Sequence, residues 1–443
     1  MQDPEITVGI MSRQKIDFNL WGNFRFAGTA ETLSGEQSVA LMDGKLNLSN
    51  GAAEASEILL VPLDAQKAEF ELKEVTIGVN FHWEQQENQR FRGKLKLIIE
   101  NNTITAINIL PLEEYLISVI SSEMSATSSL ELLKAHAIIS RSWLLAQIEK
   151  QDQLSEERSV YNSTFSDEKE HLKWYDREDH ENFHVCADDH CQRYQGTTRS
   201  HNPNVIKAVN ETAGVVLSYA GKICDARFSK CCGGISELFE NCWEPVNHPY
   251  LTAVVDNPEF PAGFERDLTL EKNAVAWING SPDAFCNTTD EAVLKQVLND
   301  YDWSANDFYR WTVQYPQAEI SDLIRRRSGI DFGEIIDLLP IERGTSGRLI
   351  QLKIVGTKRT LIVGKELEIR RWLSESHLYS SAFFVEKQDE KNGIPQKFIL
   401  KGAGWGHGVG LCQIGAAVMG HKGYKYEEIL QHYFKNVLLE KRY

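Results

Sequence analysis

The chain has no long apolar stretch, few basic residues and few cysteines. No run approaches the ~20 apolar residues that cross a bilayer, and the first residues lack the pattern of a signal peptide. We therefore expect either a cytoplasmic protein or a periplasmic or other cell-envelope protein whose export signal has been removed. Lys and Arg number 47 against 63 Asp and Glu, a net charge of -16, which argues against nucleic acid or an anionic membrane as the main partner. Eight cysteines in 443 residues are too sparse for a disulfide scaffold.

The pattern of apolar residues changes along the chain. Residues 1–110 alternate apolar and polar side chains in short runs, which indicates a β-rich N-terminal part. Residues 111–260 contain helices and, at 151–205, a charged excursion with His and Cys, whereas 261–340 indicate a peripheral helical segment. Alternation returns in the last part, 341–443. The sequence thus predicts an α+β fold rich in β-strands and not a regular βαβ series.

One carboxylate stands between a predicted strand and a predicted helix. Ser128 and Glu131 have the spacing of a capping box, which predicts that a helix begins near Ser128. Glu123 would then lie in a loop beside a cleft, with Lys134 and Arg141 on one side of the helix and able to face an anionic or polar ligand. The alternative is that Glu123 serves the helix dipole or simply meets solvent.

Five side chains that can bind a metal lie within twelve residues: His180, His184, Cys186, His190 and Cys191. Zinc prefers four such ligands in a tetrahedral arrangement, and a short irregular segment wraps around one ion more easily than a regular helix or strand. Four protein ligands would leave no position for water, so such a metal would be structural and would hold a loop beside the cleft. The alternative is a polar loop with a Cys186–Cys191 disulfide or with unligated surface histidines.

The segment 404–410 has Gly at every second position, which does not fit the patterns of phosphate-binding loops. Alternate glycines would leave Trp405, His407 and Val409 on one face of an extended segment, as a floor for a saccharide on which Trp405 stacks. The alternative is that Trp405 lies in the core. A further hypothesis pairs Cys412 with His407 as a thiol nucleophile and its base.

The remaining cysteines carry no spacing signal. Cys231 and Cys232 precede two glycines, and we expect them to be small core side chains. Cys242 could pair with either of them in an exported protein. Cys224 and Cys286 show no pattern at all.

Several runs, in a fixed order, resemble the stage II sporulation protein D (SpoIID)/LytB amidase-enhancer family. They are PLEEYL at 111–116, SEM at 122–124, LKAHA at 133–137, RS at 141–142, AG at 213–214, GG at 233–234 and SGR at 346–348. Near the C-terminus, GWGHGVGLCQIGA at 404–416 is similar to the family signature G-W-G-H-G-V-G-x-S-Q-x-G-A. The resemblance spans most of the chain. Cys231, Cys232, Cys412 and His136 depart from the residues usual in the family, which indicates a divergent branch.

The resemblance implies a peptidoglycan lytic transglycosylase. Such an enzyme cleaves the bond between N-acetylmuramic acid and N-acetylglucosamine and leaves 1,6-anhydromuramoyl products. Glu123 stands at the place of the catalytic acid, and Arg141 matches a motif arginine that would bind the glycan or the muramic carboxylate. His407 and Gln413 would line the same cleft.

The resemblance also implies a structural zinc ion held by two His and two Cys. His180, Cys186, His190 and Cys191 fit this set best, with His184 as the alternative to His180. The implied partner is the peptidoglycan glycan strand. The alternative function is a non-catalytic module that binds glycan and stimulates a separate N-acetylmuramoyl-L-alanine amidase, which would then be a second partner.

Overall fold

A computed structural model describes residues 3–49, 51, 54–78, 84–125, 127–156, 163–175, 180–188, 190–198, 202–297 and 308–443, with the side chains of 152–156 excluded. Parts of the excursion predicted at 151–205, namely 157–162, 176–179, 189 and 199–201, lie outside the described residues. Across the described ranges, no helix combines the length and apolar character needed to span a membrane.

The N-terminal part consists of strands, because apolar and polar residues alternate there. In the second strand, buried Ile16, Phe18 and Leu20 alternate with Lys15, Asp17 and Asn19, of which the first two are exposed. The strands are β1 (Glu5–Arg13), β2 (Lys15–Phe26), β3 (Thr32–Met42), β4 (Lys45–Leu48), β5 (Glu54–Ala55), β6 (Glu57–Pro62), β7 (Glu69–Ile77), β8 (Gln85–Phe91), β9 (Lys94–Glu100) and β10 (Thr103–Pro111).

The helices lie in the remainder of the chain. Their bounds are α1 (Leu112–Glu123), α2 (Leu130–Glu156), α3 (Pro203–Glu211), α4 (Glu271–Asn279), α5 (Glu291–Val297), α6 (Gln317–Ser328), α7 (Glu366–Trp372), α8 (Gln413–His421) and α9 (Tyr426–Tyr433). Single 3-10 turns occur at Gly196–Thr198 and Phe239–Asn241.

Further strands separate these helices. They are β11 (Thr164–Ser166), β12 (Glu170–Lys173), β13 (Val185–Cys186), β14 (Val215–Tyr219), β15 (Lys222–Ile223), β16 (Phe228–Ser229), β17 (Arg310–Pro316), β18 (Ile335–Arg343), β19 (Leu349–Gly356), β20 (Thr360–Gly364), β21 (Phe383–Gln388), β22 (Lys397–Ala403), β23 (Leu411–Cys412) and β24 (Leu438–Lys441). The α+β class predicted from the sequence, rich in β-strands, is therefore confirmed.

The largest sheet places its last strand beside its first. Its order is β13-β1-β10-β9-β6-β2-β3-β4-β5, with β7 paired to β2 and β8 paired to β7. Strand β10 is antiparallel to β1 and leads directly into α1, while β13 pairs with β1 in parallel. Helix α1 and the segment around β13 therefore both start from the same edge of the sheet. The smaller sheets have the orders β11-β12-β20-β19-β18, β15-β14-β24, β17-β22-β21 and β16-β23.

Two main hydrophobic clusters organise the molecule. The first joins the N-terminal strands to α1, α2, α8 and α9, so it contains both Ile6 and Phe434. The second is built from residues between Trp311 and Leu400, which come from α6, α7 and the strands around them. Residues from the last thirty of the chain thus pack in the same hydrophobic cluster as the first strands.

The segment 261–340 differs from its predicted helical, peripheral character. It contains strands β17 and most of β18 as well as α4, α5 and α6. Strand β17 is paired along its length with β22, and β18 is an edge strand of the sheet that includes β19 and β20. The three helices agree with the predicted helical character, whereas the two strands were not predicted, because alternation in β17 is short and pairing with a strand almost ninety residues away is invisible to local periodicity.

Candidate functional site

Glu123 is the last residue of α1 and not, as predicted, part of a loop before a helix. It follows Leu116 and Val119 by seven and four residues, so it shares the face of α1 that these two side chains bury. The Glu123 side chain is half-buried. Within the described ranges, its carboxylate has no hydrogen-bond or ion-pair partner. The carboxyl group therefore lies at the C-terminal end of the buried face of α1. Among the described residues, no cationic side chain pairs with its charge.

The turn after Glu123 is fastened to the end of α5. The backbone N–H of Ser125 donates to the Gln296 carbonyl at 3.0 Å, and the Ser128 hydroxyl donates to the same oxygen at 2.7 Å. The backbone N–H of Ser129 donates to the Gln296 side-chain oxygen at 3.1 Å. Since these bonds fix both ends of the turn, α5 contributes directly to the position of Glu123.

The start of α2 also differs from the prediction. Ser129 and not Ser128 caps the helix, because its hydroxyl accepts the Leu132 N–H at 3.3 Å while the Ser128 hydroxyl is occupied by Gln296. The Glu131 carboxylate accepts the backbone N–H of Tyr426 at 2.9 Å and takes no part in a capping box. The helix begins at Leu130, two residues after the predicted start.

Arg141 is fully buried and makes a two-pronged ion pair with Glu113, with N···O distances of 2.9 and 2.6 Å. It also donates to the Val215 carbonyl at 2.9 Å. The Glu113 carboxylate in turn accepts the Gly214 N–H and the Tyr443 hydroxyl. This network joins α1, α2, β14 and the last residue of the chain. The expectation that Arg141 binds glycan directly does not agree with this geometry, because its donors are already used and no part of it is exposed.

His180, Cys186, His190 and Cys191 converge, with all four ligand atoms within 4.8 Å of one another. The Cys191 sulfur lies 3.5 Å from His180 Nε2 and 3.5 Å from His190 Nδ1, and the Cys186 sulfur lies 3.8 Å from His190 Nδ1. A tetrahedral zinc, with Zn–S of about 2.3 Å and Zn–N of about 2.0 Å, separates sulfur from nitrogen by about 3.5 Å. The donor set and its spacing therefore fit zinc.

His184 is not part of this cluster. Its Nδ1 accepts the backbone N–H of Thr7 at 3.2 Å, and its own backbone N–H donates to the Thr7 hydroxyl at 2.9 Å. His184 thus helps to dock β13 on β1, and the geometry favours His180 as the fourth ligand. The cysteines of the cluster are both free thiols, so the alternative Cys186–Cys191 disulfide is not formed.

The segment after the cluster is bound tightly to α1 and α2. Tyr115 on α1 stacks on Tyr194 at 5.1 Å and donates its hydroxyl to Gln192. The backbone N–H of Gln195 donates to the Ser118 hydroxyl at 3.2 Å. Burial raises the pKa of Tyr115, with smaller contributions from the charges of Cys191, Cys186, Tyr194 and Glu123. Tyr115 therefore lies close enough to both the cluster and the candidate catalytic carboxylate to be affected by their charges.

The Gly-rich segment 404–410 is shaped by close packing. Gly404, Gly406, Gly408 and Gly410 all have positive φ angles, between 73° and 97°. A Cβ atom on Gly408 would lie 2.5 Å from the Arg348 guanidinium carbon, and Arg348 donates to the carbonyls of Gly406 and Cys232. The alternate glycines thus let the segment wrap around a buried arginine.

Trp405 and His407 are half-buried, unlike Val409, which is fully buried. The Trp405 ring is stacked on Phe308 at 4.7 Å and makes an edge-to-face contact with Tyr379 at 4.9 Å, so only part of it can meet a ligand. The His407 Nδ1 accepts the Val409 N–H at 3.0 Å. Burial, reinforced by nearby arginines, lowers the pKa of His407 well below its ordinary value, so the ring is neutral.

Gln413 and Cys412 face inward. Gln413 is 2% exposed and bonds His136 Nε2 on α2 at 3.1 Å, so it does not line an open cleft as predicted. The Cys412 sulfur contacts the backbone N–H of Cys232 at 3.2 Å. Among the described residues, the hydrogen-bond partners of Cys412 are the backbone groups of Cys232 and Lys230 and not His407, so the hypothesis of a thiol–histidine pair is not supported.

A cluster that the sequence did not predict surrounds Cys412. The sulfurs of Cys232, Cys286 and Cys412 and the carboxylate of Asp256 lie within 4.8 Å of one another, and all four side chains are buried. Burial opposes ionisation of Cys412, but hydrogen bonds from Cys231, Cys232 and Cys286 lower its pKa well below the ordinary value. Spacings of 24, 30 and 126 residues between successive members carry no local signal. The only sequence signal was that Cys232 and Cys412 replace usual residues of the resembled family.

Comparison with known proteins identifies two matched regions. Residues 100–219 match the family model described as Stage II sporulation protein, and residues 237–410 match a domain of unknown function (DUF8618). The first region contains Glu123, Arg141 and the cluster of His180, Cys186, His190 and Cys191, and the second contains the whole Gly-rich segment.

Curated relatives agree with the first match. The chain is 27% identical over 256 residues to the amidase enhancer of Bacillus subtilis (strain 168), which covers 54% of this chain and 33% of that protein. It is 26% identical over 356 residues to an uncharacterised protein of Brachyspira hyodysenteriae, with 78% and 71% coverage. It is 23% identical over 334 residues to stage II sporulation protein D of Bacillus amyloliquefaciens, with 75% of each chain covered. The chain spans a third of the amidase enhancer. The motif order, the matched region and these similarities together support the SpoIID/LytB family for this chain.

Proposed function

We propose that this protein is a lytic transglycosylase that cleaves peptidoglycan glycan strands, with Glu123 as its acid and base. The observation that carries the proposal is the half-buried, unpartnered carboxylate at the end of α1, inside the region that matches the Stage II sporulation protein model. A carboxylate held by a rigid helix, with a fastened turn behind it, is well suited to act on a ligand. We place the protein, on this proposal, in the cell envelope.

One carboxyl group is sufficient for this reaction. In its protonated form it donates a proton to the glycosidic oxygen, and the bond from that oxygen to the muramoyl carbon breaks. The resulting carboxylate then accepts the proton of the muramoyl 6-hydroxyl, whose oxygen closes the 1,6-anhydro ring. No water is consumed, and a second carboxylate, as in ordinary glycosidases, is not required.

We also propose that zinc occupies the His180, Cys186, His190 and Cys191 cluster. The ion would have four protein ligands and no open position, so its contribution is structural. Support comes from the contacts that follow it: the segment 192–195 bonds α1 through Tyr115 and Ser118. A bound ion would thereby stabilise the helix that carries Glu123.

Trp405 is the proposed glycan contact, because its ring lies on the Gly-rich segment and is half-buried. A second candidate function is glycan binding coupled to stimulation of an amidase, which the similarity to a relative named as an amidase enhancer favours. The burial of Arg141 and Gln413 also removes two of the side chains expected to contact the glycan. Product chemistry separates the two functions, because only a transglycosylase forms anhydro sugars without a partner.

The test uses intact and amidase-treated peptidoglycan, followed by mass analysis of the soluble products. Wild type should release anhydromuramoyl products, and Glu123→Gln should lower their rate at least about 100-fold while glycan binding persists. Glu114→Gln is the matched control, since Glu114 lies on the same helix and is also half-buried. Equal rates for wild type and Glu123→Gln would refute the catalytic role, and wild type without anhydro products on either substrate would leave the amidase-enhancer function in its place.

A further inference from the structure

A second set of soft ligands lies in the core, far in sequence from the first cluster. It consists of Cys232, Cys286, Cys412 and Asp256, whose exposed fractions are 3%, 1%, 0% and 0%. The sulfurs of Cys232 and Cys286 are 3.7 Å apart. Two thiolates bound to one tetrahedral zinc are separated by about 3.8 Å, whereas a disulfide requires about 2.05 Å. The four groups are therefore spaced as ligands and not as a crosslink.

Asp256 gives independent support, because a buried carboxylate is expected to be paired with a cation or to bind a metal. In the part of the chain that the structure describes, no Lys or Arg side chain forms an ion pair with it. Its two oxygens accept hydrogen bonds from the Tyr433 hydroxyl at 2.6 Å and the Cys286 N–H at 2.8 Å. Hydrogen bonds of this kind orient a carboxylate that binds a metal ion.

The surroundings also favour a thiolate at Cys412. Cys412 is the residue that precedes α8, where the positive end of the helix dipole stabilises negative charge. The backbone N–H of Cys232 donates to its sulfur at 3.2 Å. The thiol of Cys231 is fully buried beside Cys232 in the chain and would lie just outside the ligands. Three thiolates and one carboxylate around Zn²⁺ carry the same net charge as a four-cysteine zinc site.

We propose that Cys232, Cys286, Cys412 and Asp256 form a second zinc site, closed and structural, in the core of the protein. All four positions would be filled by protein, so the ion would not bind substrate. It would join the end of the Gly-rich segment to residues 231–232, 256 and 286, and so fix the segment that carries Trp405 and His407.

The experiment is a zinc count on protein purified with a phosphine reductant and without chelator. Wild type should contain about two zinc ions per chain, and His190→Ala, which disrupts the first cluster, should retain about one. Cys286→Ser in the His190→Ala background should remove the remaining ion, whereas Cys224→Ser, a control that is equally buried but outside the cluster, should not.

A thiol count on wild type denatured with chelator and without reductant should detect all eight cysteines. This measurement keeps the test decisive if the Cys286→Ser variant does not fold. The proposal is overturned if His190→Ala protein holds no zinc after dialysis against zinc chloride. It is also overturned if two thiols are missing and peptide mapping finds Cys232 joined to Cys286. Neither result tests cleavage by Glu123, so the proposal of a second zinc site and the transglycosylase proposal can fail independently.

Discussion

At the scale of single residues, buried charged and polar side chains hold in place the helix that carries Glu123. The Arg141–Glu113 pair illustrates this, because its side chains are 0% and 13% exposed and three further groups bond to them. Removing one partner of such a pair leaves an uncompensated buried charge. Family resemblance alone would have given Arg141 a ligand-binding role, whereas its contacts give it a positioning role for α1.

We therefore expect Arg141→Gln to lower the free energy of unfolding by about 3–5 kcal/mol, measured by urea denaturation. Lys207→Gln is the control, since its ion pair with Glu211 is exposed and its loss should change stability by less than about 0.5 kcal/mol. If Arg141→Gln unfolds at the urea concentration of wild type but no longer binds glycan, the positioning role is wrong.

His136 predicts a pH dependence of stability. Burial lowers its pKa from 6.5 to about 3, so the unfolded chain takes up a proton before the folded protein does as the pH falls. The stability from neutral His136 is thus present above pH 6.5 and is lost towards pH 3, by up to about 1.4 kcal/mol per pH unit. His136→Gln keeps partners for Gln413 and Ser140 but cannot titrate. Unfolding free energies at about pH 7.5 and about pH 5 should therefore differ by about 2 kcal/mol less in the variant; an identical difference would exclude this cause.

At the scale of elements, the end of α5 acts as a support for the turn between α1 and α2. Gln296 provides its carbonyl and its side chain to three residues of that turn. Residues 291–297 therefore belong to the functional region, although periodicity alone indicated a peripheral helix. The same contact explains the shifted start of α2, because Gln296 occupies the hydroxyl of Ser128 and leaves the cap to Ser129.

Gln296→Ala should loosen this turn without unfolding the protein. The loss of one side-chain acceptor costs about 1 kcal/mol, so amide hydrogens in 125–129 should exchange about five times faster. Cleavage should fall with it if Glu123 is catalytic. Lys295→Ala is the control, because the Lys295 side chain pairs with exposed Glu291 on the same helix. Unchanged exchange in Gln296→Ala would show that α5 does not hold the turn.

At the scale of the whole molecule, the irregular segments are held in place by contacts with distant parts of the chain. The cluster of His180, Cys186, His190 and Cys191 is local in sequence, and its four members were predicted from spacing and resemblance. The sequence could not select between His180 and His184, because the contact that occupies His184 comes from Thr7, 177 residues away. The core cysteines were unpredictable for the same reason, since Cys232 and Cys412 are brought together by pairings of long sequence separation, namely β16 with β23 and Cys231 with Trp405. The fold class and the order of the motifs could be predicted from the sequence. The burial of Arg141 and Gln413 could not, because it arises only when the helices pack together.

We predict that His190→Ala loses one zinc ion relative to wild type and that its segment 180–195 exchanges amide hydrogens faster. His184→Ala should keep the full zinc content, because His184 Nδ1 is bonded to β1 and not directed at the cluster. Metal analysis and hydrogen exchange on the two variants provide the comparison. A loss of zinc in His184→Ala but not in an equivalent His180→Ala protein would reverse the ligand assignment.

The cluster that contains both Ile6 and Phe434 has a consequence for synthesis of the protein. The N-terminal strands leave the ribosome more than three hundred residues before α8 and α9, which cover part of the same apolar surface. Contacts of such long sequence separation form slowly, and surfaces that wait for them are prone to aggregate. The nascent chain is therefore expected to need chaperone protection until its last helices emerge, while the cluster between Trp311 and Leu400 can assemble earlier from neighbouring strands.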